Sequence, residues 1–218
     1  MITLKEIKKN KKIKELIAFA DRSLEQIGYT EHGFRHSRIV AKWAGQLLRE
    51  LDFDKRRIQL AEIGGYLHDI GNVINRRNHA QHSGHIVMQI LPEIGMDFSE
   101  VIEIASAIGN HHEGEGDMVS DIGSAIVLAD KADVHLSRVR DAKNVSYDIH
   151  DRVNFAVRDS KLIVAEKDTI EITILIDPYI SSVMEYFEIF LERMMVCQRA
   201  ALFLDKKFEL VINGVRLT

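Results

Sequence analysis

The chain has 218 residues, of which 46% are hydrophobic, and a formal net charge of −4 at pH 7. This length and apolar content suffice for one large domain or two small ones, each with a hydrophobic core. The mild acidity excludes a strongly basic surface, so neither nucleic acid nor a membrane is indicated as the main partner.

Cysteine content and apolar runs limit the cellular setting. Cys197 is the single cysteine, which excludes an intramolecular disulfide, and its apolar helical surroundings indicate a buried small side chain. No segment approaches the roughly 18 consecutive apolar residues of a transmembrane helix. The lysine-rich N-terminus is not followed by the apolar segment of a signal peptide. These features predict a cytoplasmic protein.

The first two thirds of the chain shows the apolar periodicity of helices. Apolar residues recur at intervals of three and four in residues 36–51, 54–69, 99–112 and 121–140, which is the spacing of one buried helix face. Short turns that contain Gly or Pro separate these segments. We therefore expect residues 1–143 to form a helical domain.

The pattern changes in residues 144–218, where β-branched residues alternate with polar ones. The segments "RVNFAVRDS", "KLIVAE" and "TIEITILID" predict three antiparallel strands. A long amphipathic helix is expected to open at Asp177-Pro178, and Asn213-Gly214 between two apolar runs predicts a closing β-hairpin. The predicted fold class is mainly α: a helical bundle followed by a small α+β domain with antiparallel strands and one long helix.

Several predicted helices place an imidazole or a carboxylate on the inward face. Burying unpaired polar groups costs roughly 2–7 kcal/mol each, and a metal ion that binds neutral imidazoles and ionised carboxylates removes this cost. Nitrogen and oxygen ligands without thiolate favour Fe, Mn, Zn, Co or Ni, with Mg as a further alternative. The inward set consists of His36, His68, Asp69, His79, His111, His112 and Asp130.

The order and spacing of these residues resembles a known family. The segments that carry the resemblance are "FRHSRIV", "GYLHDIGN", "GNHHE" and "VLADKAD". Together they are similar to the HD-domain superfamily of metal-dependent phosphohydrolases, over roughly residues 28–140. The resemblance implies an HD-type helical bundle with two divalent cations.

The resemblance also implies how the metal ligands are divided. It assigns the basic metal site to His36, His68, Asp69 and Asp130. A second metal would take His111, His112 and a middle histidine. His79 matches the family pattern better than His82 and His85, which remain as alternatives. Asp69 would bridge the two cations, and Gly71 would let the chain turn away after the His-Asp pair.

The sequence also departs from some relatives. Asn72 follows "HDIG", where many members have lysine, and "GEGDMVS" follows "HHE" in place of a "GYP" signature. These differences argue against cyclic di-GMP as the substrate. Basic residues could hold a phosphate, although ordinary surface charges are the competing interpretation. These residues are Arg76, Arg77, Lys131, Arg138 and Arg140.

The implied activity is hydrolysis of a phosphate mono- or diester, most plausibly of a nucleotide, through a metal-activated water. Glu113 is the candidate for proton transfer, and a solvent-exposed loop glutamate is the competing interpretation. Two alternative functions stay open: an HD-like di-iron oxygenase, and a non-catalytic ligand sensor. The expected partner is a small phosphorylated molecule, and the C-terminal domain could form a homodimer.

Overall fold

A computed structural model describes residues 1–114, 116–143, 145, 148–166 and 168–217. The helices are α1 Leu4–Ile7, α2 Lys11–Gln26, α3 Phe34–Glu50, α4 Lys55–Leu67, α5 His79–Glu93, α6 Phe98–Gly109, α7 Asp121–Ala132, α8 Ile149–Ala156 and α9 Val183–Phe203. Short 3₁₀ turns span Ile70–Val73 and Leu136–Arg138. The strands are β1 Val157–Ala165, β2 Thr169–Ile176, β3 Lys207–Ile212 and β4 Val215–Arg216. The predicted fold class, mainly helical with a small C-terminal α+β unit, is confirmed.

The helices α3, α4, α5, α6 and α7 form a bundle around one core. α3 packs against α4 and α7, and α5 packs against α6. A Cβ atom at Gly65 would lie 3.0 Å from the backbone of Ala41, so α3 and α4 approach each other closely because α4 carries a glycine at that point. Within the described residues, no helix has the length and apolarity needed to cross a bilayer.

The structure differs from the predicted strands at the start of the C-terminal unit. Residues 149–156 form α8, whose first turn is capped by Asp148; its carboxylate accepts hydrogen bonds from the backbone N–H groups of His150 (2.8 Å) and Asp151 (3.1 Å). Val153 and Ala156 bury the inner face of this helix. Residues 157–165 then form one strand, β1. It combines the end of the predicted strand "RVNFAVRDS" with the predicted strand "KLIVAE", which the sequence pattern predicts as two separate strands.

The four strands lie in the order β1-β2-β3-β4. β1 pairs with β2 and β3 with β4 in the expected antiparallel sense, whereas β2 and β3 are parallel. A parallel neighbour requires a crossover, and α9 provides it. The last two strands are joined at Asn213-Gly214, both with positive φ (52° and 79°), as the hairpin signal predicted.

The long helix begins later than the sequence suggested. α9 starts at Val183 and not directly after Pro178, because Ser182 and Glu185 form a capping box. The backbone N–H of Ser182 donates to Glu185 (2.9 Å), and the backbone N–H of Glu185 donates to the Ser182 hydroxyl (3.2 Å). These bonds satisfy N–H groups that would otherwise lack partners at the helix start.

The C-terminal unit packs directly on the bundle. α9 contacts α7, and β1 contacts α3 and α7. The hydroxyl of Ser160 on β1 donates a 2.5 Å hydrogen bond to the carbonyl of Ala132 at the end of α7. The boundary between residues 143 and 144 stays a prediction; residues 144 and 218, the two ends of the predicted second domain, lie outside the described residues.

Gly71 lies in the 3₁₀ turn Ile70–Val73, so the chain does turn after the His-Asp pair as expected. Its φ is not positive, so glycine is needed there for space and not for its backbone conformation. A Cβ atom there would lie 2.1 Å from the carbonyl oxygen of His79 and 2.4 Å from the backbone nitrogen of Ser83. The N–H of Gly71 also donates to the Ser83 hydroxyl at 2.7 Å. The first turn of α5 therefore rests directly on the backbone that follows Asp69.

Gly71→Ala should lower the free energy of unfolding by about 1–3 kcal/mol or more, because the added methyl group would force the first turn of α5 outwards. Gly109→Ala is the matched control, since a Cβ there would meet no heavy atom of a described residue within 4 Å outside its own helix. Urea unfolding of both variants measures the difference. Equal stability of the two variants would contradict this close contact.

Candidate metal centre

Five helices of the bundle bring the predicted metal ligands to one place. His36 lies in the first turn of α3, and His79 is the first residue of α5. His68 and Asp69 directly follow α4, and Asp130 lies in the last turn of α7. The imidazoles and the Asp69 carboxylate are buried, and the Asp130 side chain is 13% exposed. The remaining two residues of the set, His111 and His112, follow α6.

One half of the cluster contains His36, His68 and Asp130. The Nε2 atom of His36 lies 3.2 Å from Nε2 of His68 and 3.2 Å from Oδ1 of Asp130. The His68 Nε2 atom is 3.7 Å from the same oxygen. One ligand atom from each residue lies within 4.8 Å of the other two, so one cation can contact all three.

The other half contains His79 and His111, and Asp69 joins the two halves. Oδ2 of Asp69 lies 3.4 Å from Nε2 of His68 and 3.7 Å from that of His36. Its other oxygen, Oδ1, lies 3.3 Å from Nε2 of His79 and 4.0 Å from that of His111. The two oxygens of one carboxylate thus face different pairs of imidazoles, which is the orientation of a bridging ligand.

Four imidazoles are oriented by the nitrogen that faces away from the cluster. Nδ1 of His36 donates to Asp133 Oδ2 (2.7 Å). The other three donate from Nδ1 to backbone carbonyls: His68 to Gly65 (2.9 Å), His79 to Arg76 (3.0 Å) and His111 to Ile108 (2.7 Å). Since each partner is an oxygen acceptor, Nδ1 carries the hydrogen and Nε2 presents its lone pair. Metal-binding histidines are held in this way, so the donor set fits a divalent cation.

Burial and charge favour the protonation states that metal ligands need. Burial lowers the pKa of His79 to about 3 and that of His111 well below the usual value. Burial opposes ionisation of Asp69, but the neighbouring histidines His68 and His79 hold the pKa of its carboxyl well below the usual value. His68 is an exception: burial would lower its pKa, but the charges of Asp69 and Asp130 outweigh burial and raise that pKa.

The remaining predicted residues lie at different distances from the cluster. The ring of His112 packs edge-on against that of His79, with centroids 4.9 Å apart. His85, one of the two alternatives to His79, is exposed and lines a groove between α5 and α6 on the other side of α5. The second alternative, His82, is half-buried and does not line the cavity at the cluster within the described residues.

Glu113 is not an exposed loop residue. Its side chain is 13% exposed and pairs with Nζ of Lys131 (2.5 Å) and Nε of Arg193 (3.1 Å). Burial would raise the pKa of Glu113, but these two cations outweigh it and lower the pKa. Lys131 is buried as well and reaches Oδ2 of Asp130 at 2.7 Å. Glu113 thus links the cluster to α9.

The predicted phosphate-binding residues separate into two groups. Arg76 and Lys131 both line a small cavity at the cluster, and Nη1 of Arg76 lies 3.3 Å from Nε2 of His79. Arg77 is exposed and does not line that cavity in the described part of the chain. Arg140 pairs with Asp21 on α2 and also lies away from the cavity. Arg138 lines the cavity.

Three residues at the site were not predicted as functional. Asp133 orients His36 and is held by both terminal nitrogens of Arg35 (3.1 and 2.7 Å). Its position three residues after Asp130, on the same helical face, was the available sequence signal. His32 and Arg193 line the cavity, but no local pattern marks them. A groove of about 740 Å³ between α2 and α5 is lined by none of the described cluster residues.

Asp133→Asn should weaken metal binding by about 10–100-fold, because the Nδ1–H of His36 would lose its charged acceptor and the ring its fixed orientation. Asp159→Asn is the control, since Asp159 pairs with Lys161 on the exposed surface of β1. Competition with a chelator of known affinity measures the metal dissociation constant. Unchanged affinity in Asp133→Asn would contradict the orienting role of Asp133.

Comparison with known proteins agrees with this geometry. Residues 33–137 match the family model of the HD domain. An uncharacterised protein of Methanocaldococcus jannaschii is 29% identical over 168 residues, which cover 66% of this chain and 64% of that protein. Ribonuclease Y of Lawsonia intracellularis is 35% identical over 102 residues, which cover 47% of this chain and 18% of that protein.

Ribonuclease Y of Enterococcus faecalis is 32% identical over 116 residues, 53% of this chain and 21% of that enzyme. The chain thus spans less than two thirds of the M. jannaschii protein and about a fifth of each ribonuclease Y. The seven clustered histidines and aspartates all fall within residues 33–137. Residues 33–137 thus carry an HD domain, which is consistent with the superfamily that the sequence resembles.

Proposed function

We propose that this protein hydrolyses a phosphate mono- or diester, most plausibly of a nucleotide, at a centre of two divalent cations. The observation that supports this proposal is the orientation of Asp69. One of its oxygens faces His36 and His68, and the other faces His79 and His111. A buried carboxylate shared in this way between two sets of imidazoles is suited to bridge two cations.

Each residue of the cluster has a proposed part in this centre. His36, His68 and Asp130 would hold one cation, and His79, His111 and His112 the other. Bound divalent cations act as Lewis acids on phosphoryl oxygens and lower the pKa of water. The chain's own contribution is to direct the Nε2 atoms inwards, because Nδ1 of His36, His68, His79 and His111 already donates to an oxygen on the outer side of each ring.

Basic residues beside the cluster would hold the phosphate of the substrate. Arg76 and Lys131 line the cavity from opposite parts of the sequence, and both remain our candidates for this role. Arg77 is less favoured because its side chain is exposed away from the cavity.

For Glu113 we propose a positioning role. Its ion pairs with Lys131 and Arg193 lower its pKa and so make it a weak base. The same ion pairs hold the side chains of Lys131 and Arg193 at the edge of the cavity, where they can face a phosphate.

The similarity to ribonuclease Y bears on the kind of ester. A ribonuclease acts on phosphodiester bonds of RNA, and this chain is similar to the two ribonuclease Y proteins over 102 and 116 residues. This similarity supports a diester as well as a monoester substrate. A screen should therefore include p-nitrophenyl phosphate, bis(p-nitrophenyl) phosphate, nucleoside monophosphates and short RNA, each with several divalent metals.

Asp69→Ala should abolish hydrolysis and remove most of the bound metal, because both halves of the cluster lose a ligand. His85→Gln is the control, since His85 is exposed on α5. Elemental analysis and the hydrolysis screen give the two readouts. Full metal content and full activity in Asp69→Ala would overturn the proposed centre.

The same assay separates the alternative functions. Oxygen uptake by the iron-loaded protein with an organic substrate, without hydrolysis of any ester, would favour a di-iron oxygenase. Full metal occupancy without turnover of either kind would favour a ligand sensor. Phosphate or nitrophenol release that needs metal and Asp69 would support the proposed hydrolase.

We also propose that a homodimer forms through α9. Its outer face exposes four large apolar side chains. These four residues are placed symmetrically along the helix about residue 193. Residues 184 and 202 each lie nine positions from it, and residues 191 and 195 each lie two positions from it. Two copies of α9 packed antiparallel would therefore match Met184 with Leu202 and Leu191 with Met195, and would bring Glu188 near Arg199. The apolar side chains are Met184, Leu191, Met195 and Leu202.

Leu191→Glu should convert this dimer to a monomer, because each glutamate would be buried without a partner against Met195 of the other copy. Met88→Glu on α5 is the control, since Met88 is also an exposed apolar residue. Light scattering after gel filtration measures the mass. A wild-type monomer, or a dimer that survives Leu191→Glu, would contradict this interface.

A further inference from the structure

A second, larger cleft adjoins the metal centre. Its volume is about 290 Å³, close to the lower end of the range for small-molecule sites. It lies between residues 27–32, which precede α3, and the helices α8 and α9. The lining residues are Ile27, Gly28, Tyr29, Thr30, His32, Arg76, Arg138, Asp148, His150, Asn154, Phe190 and Arg193.

The cleft and the cavity at the metal ligands share one wall. His32, Arg76, Arg138 and Arg193 line both. A molecule with its phosphate at the cavity can therefore extend its remaining part into the cleft. Half of the residues that line the cleft come from beyond residue 137, where the HD match ends.

The charges of the cleft suit a phosphorylated molecule. Three arginines face it, and the single carboxylate among its described lining residues belongs to Asp148. Two of the guanidinium groups lie over aromatic rings of the cleft. Arg76 is 5.2 Å from the ring centroid of Tyr29, and Arg193 is 4.5 Å from that of Phe190. The Tyr29 side chain is partly exposed, so its ring is accessible to a planar group.

Asn154 supplies a specific polar feature. Its side chain is 4% exposed, and its Nδ2 donates to the carbonyl of His150 at 2.8 Å, which fixes the amide orientation. The other amide atom, Oδ1, is buried and accepts no hydrogen bond from any residue the structure describes. Buried acceptors without a donor are rare and costly. Asn154 lines the cleft, so a ligand whose N–H or O–H donor reaches this atom would satisfy it.

We infer that the cleft binds the nucleoside part of a nucleotide, with Asn154 Oδ1 accepting a hydrogen bond from a base amino group or a sugar hydroxyl. Tyr29 provides the ring against which the base packs, and Arg76 and Arg193 direct the phosphate towards the metal centre. The C-terminal unit thereby takes part in substrate selection. This inference rests on the proposed phosphohydrolase function and adds the residues that choose its substrate.

The test compares nucleotides with inorganic phosphate as probes. In the metal-loaded protein, Asn154→Leu should weaken binding of adenosine or cytidine 5′-monophosphate by about fivefold to tenfold. This is the loss expected when the protein acceptor of one hydrogen bond to the nucleotide is removed. Binding of inorganic phosphate should change less than about twofold, because phosphate alone does not reach Asn154. Isothermal titration calorimetry measures both dissociation constants.

Two further variants complete the design. Tyr29→Leu removes the partly exposed ring and should also weaken nucleotide binding selectively, which keeps the test valid if Asn154→Leu is poorly folded. Lys42→Gln is the control, since Lys42 is exposed on α3 and does not line the cleft. Thermal unfolding checks each variant. Uridine and 2′-deoxynucleotide probes identify the donor: weaker binding of uridine monophosphate indicates a base amino group, and weaker binding of the deoxy probe a sugar hydroxyl.

The outcomes separate the two proposals. If the wild-type protein binds neither metal nor phosphate, the proposed function fails. If it binds both, but nucleotides bind no more tightly than inorganic phosphate, the cleft inference is overturned while the metal centre stands. Equal losses of nucleotide and phosphate binding in Asn154→Leu and Tyr29→Leu would overturn it as well.

Discussion

The buried carboxylate of Asp69 is the group around which the bundle is arranged. An isolated carboxylate in a protein interior is strongly disfavoured, and here four imidazoles surround it. Each imidazole comes from a different segment of the HD domain and is held from behind by an oxygen acceptor. The helices α3, α4, α5 and α6 must therefore meet at one point for the core to tolerate this charge. Function and packing impose the same constraint on the bundle.

The precision of this arrangement depends on residues that do not themselves face the centre. Gly71 allows the first turn of α5 to rest on the backbone after Asp69, which brings His79 to the second half of the cluster. Asp133 fixes the ring of His36 and is held in turn by Arg35. Loss of such an outer partner typically lowers metal affinity by about 10–100-fold. The HD domain thus carries both its ligands and their supports.

The C-terminal unit extends the site beyond the HD domain. Arg193 on α9 pairs with Glu113, which in turn holds Lys131 beside Asp130. This chain of ion pairs joins the metal centre to the cleft that we assign to the nucleoside. Because α8 and α9 form one wall of the cleft, a different unit after the HD domain would present different groups to the substrate.

The sequence by itself determined the helical bundle, the α+β unit, the final hairpin and the family. Apolar periodicity reports which face of a helix is buried, so residues such as His36 and Asp130 could be recognised as inward-facing polar groups. The same reasoning misjudged residues 152–156, because a short β-branched segment has no decisive period and the Asp148 cap selected a helix.

Only the tertiary structure decided how distant residues combine. Several features of the site depend on how the helices pack. They are the directions in which the two Asp69 oxygens face, the hydrogen bond from His36 to Asp133, the ion pair of Arg193 with Glu113, and the position of Asn154 in the wall of the cleft. The parallel pairing of β2 with β3 likewise depends on the crossover by α9. Local patterns in a sequence specify faces and caps. Contacts between residues tens of positions apart depend on side-chain volume and close approach in the folded core, which no local pattern encodes.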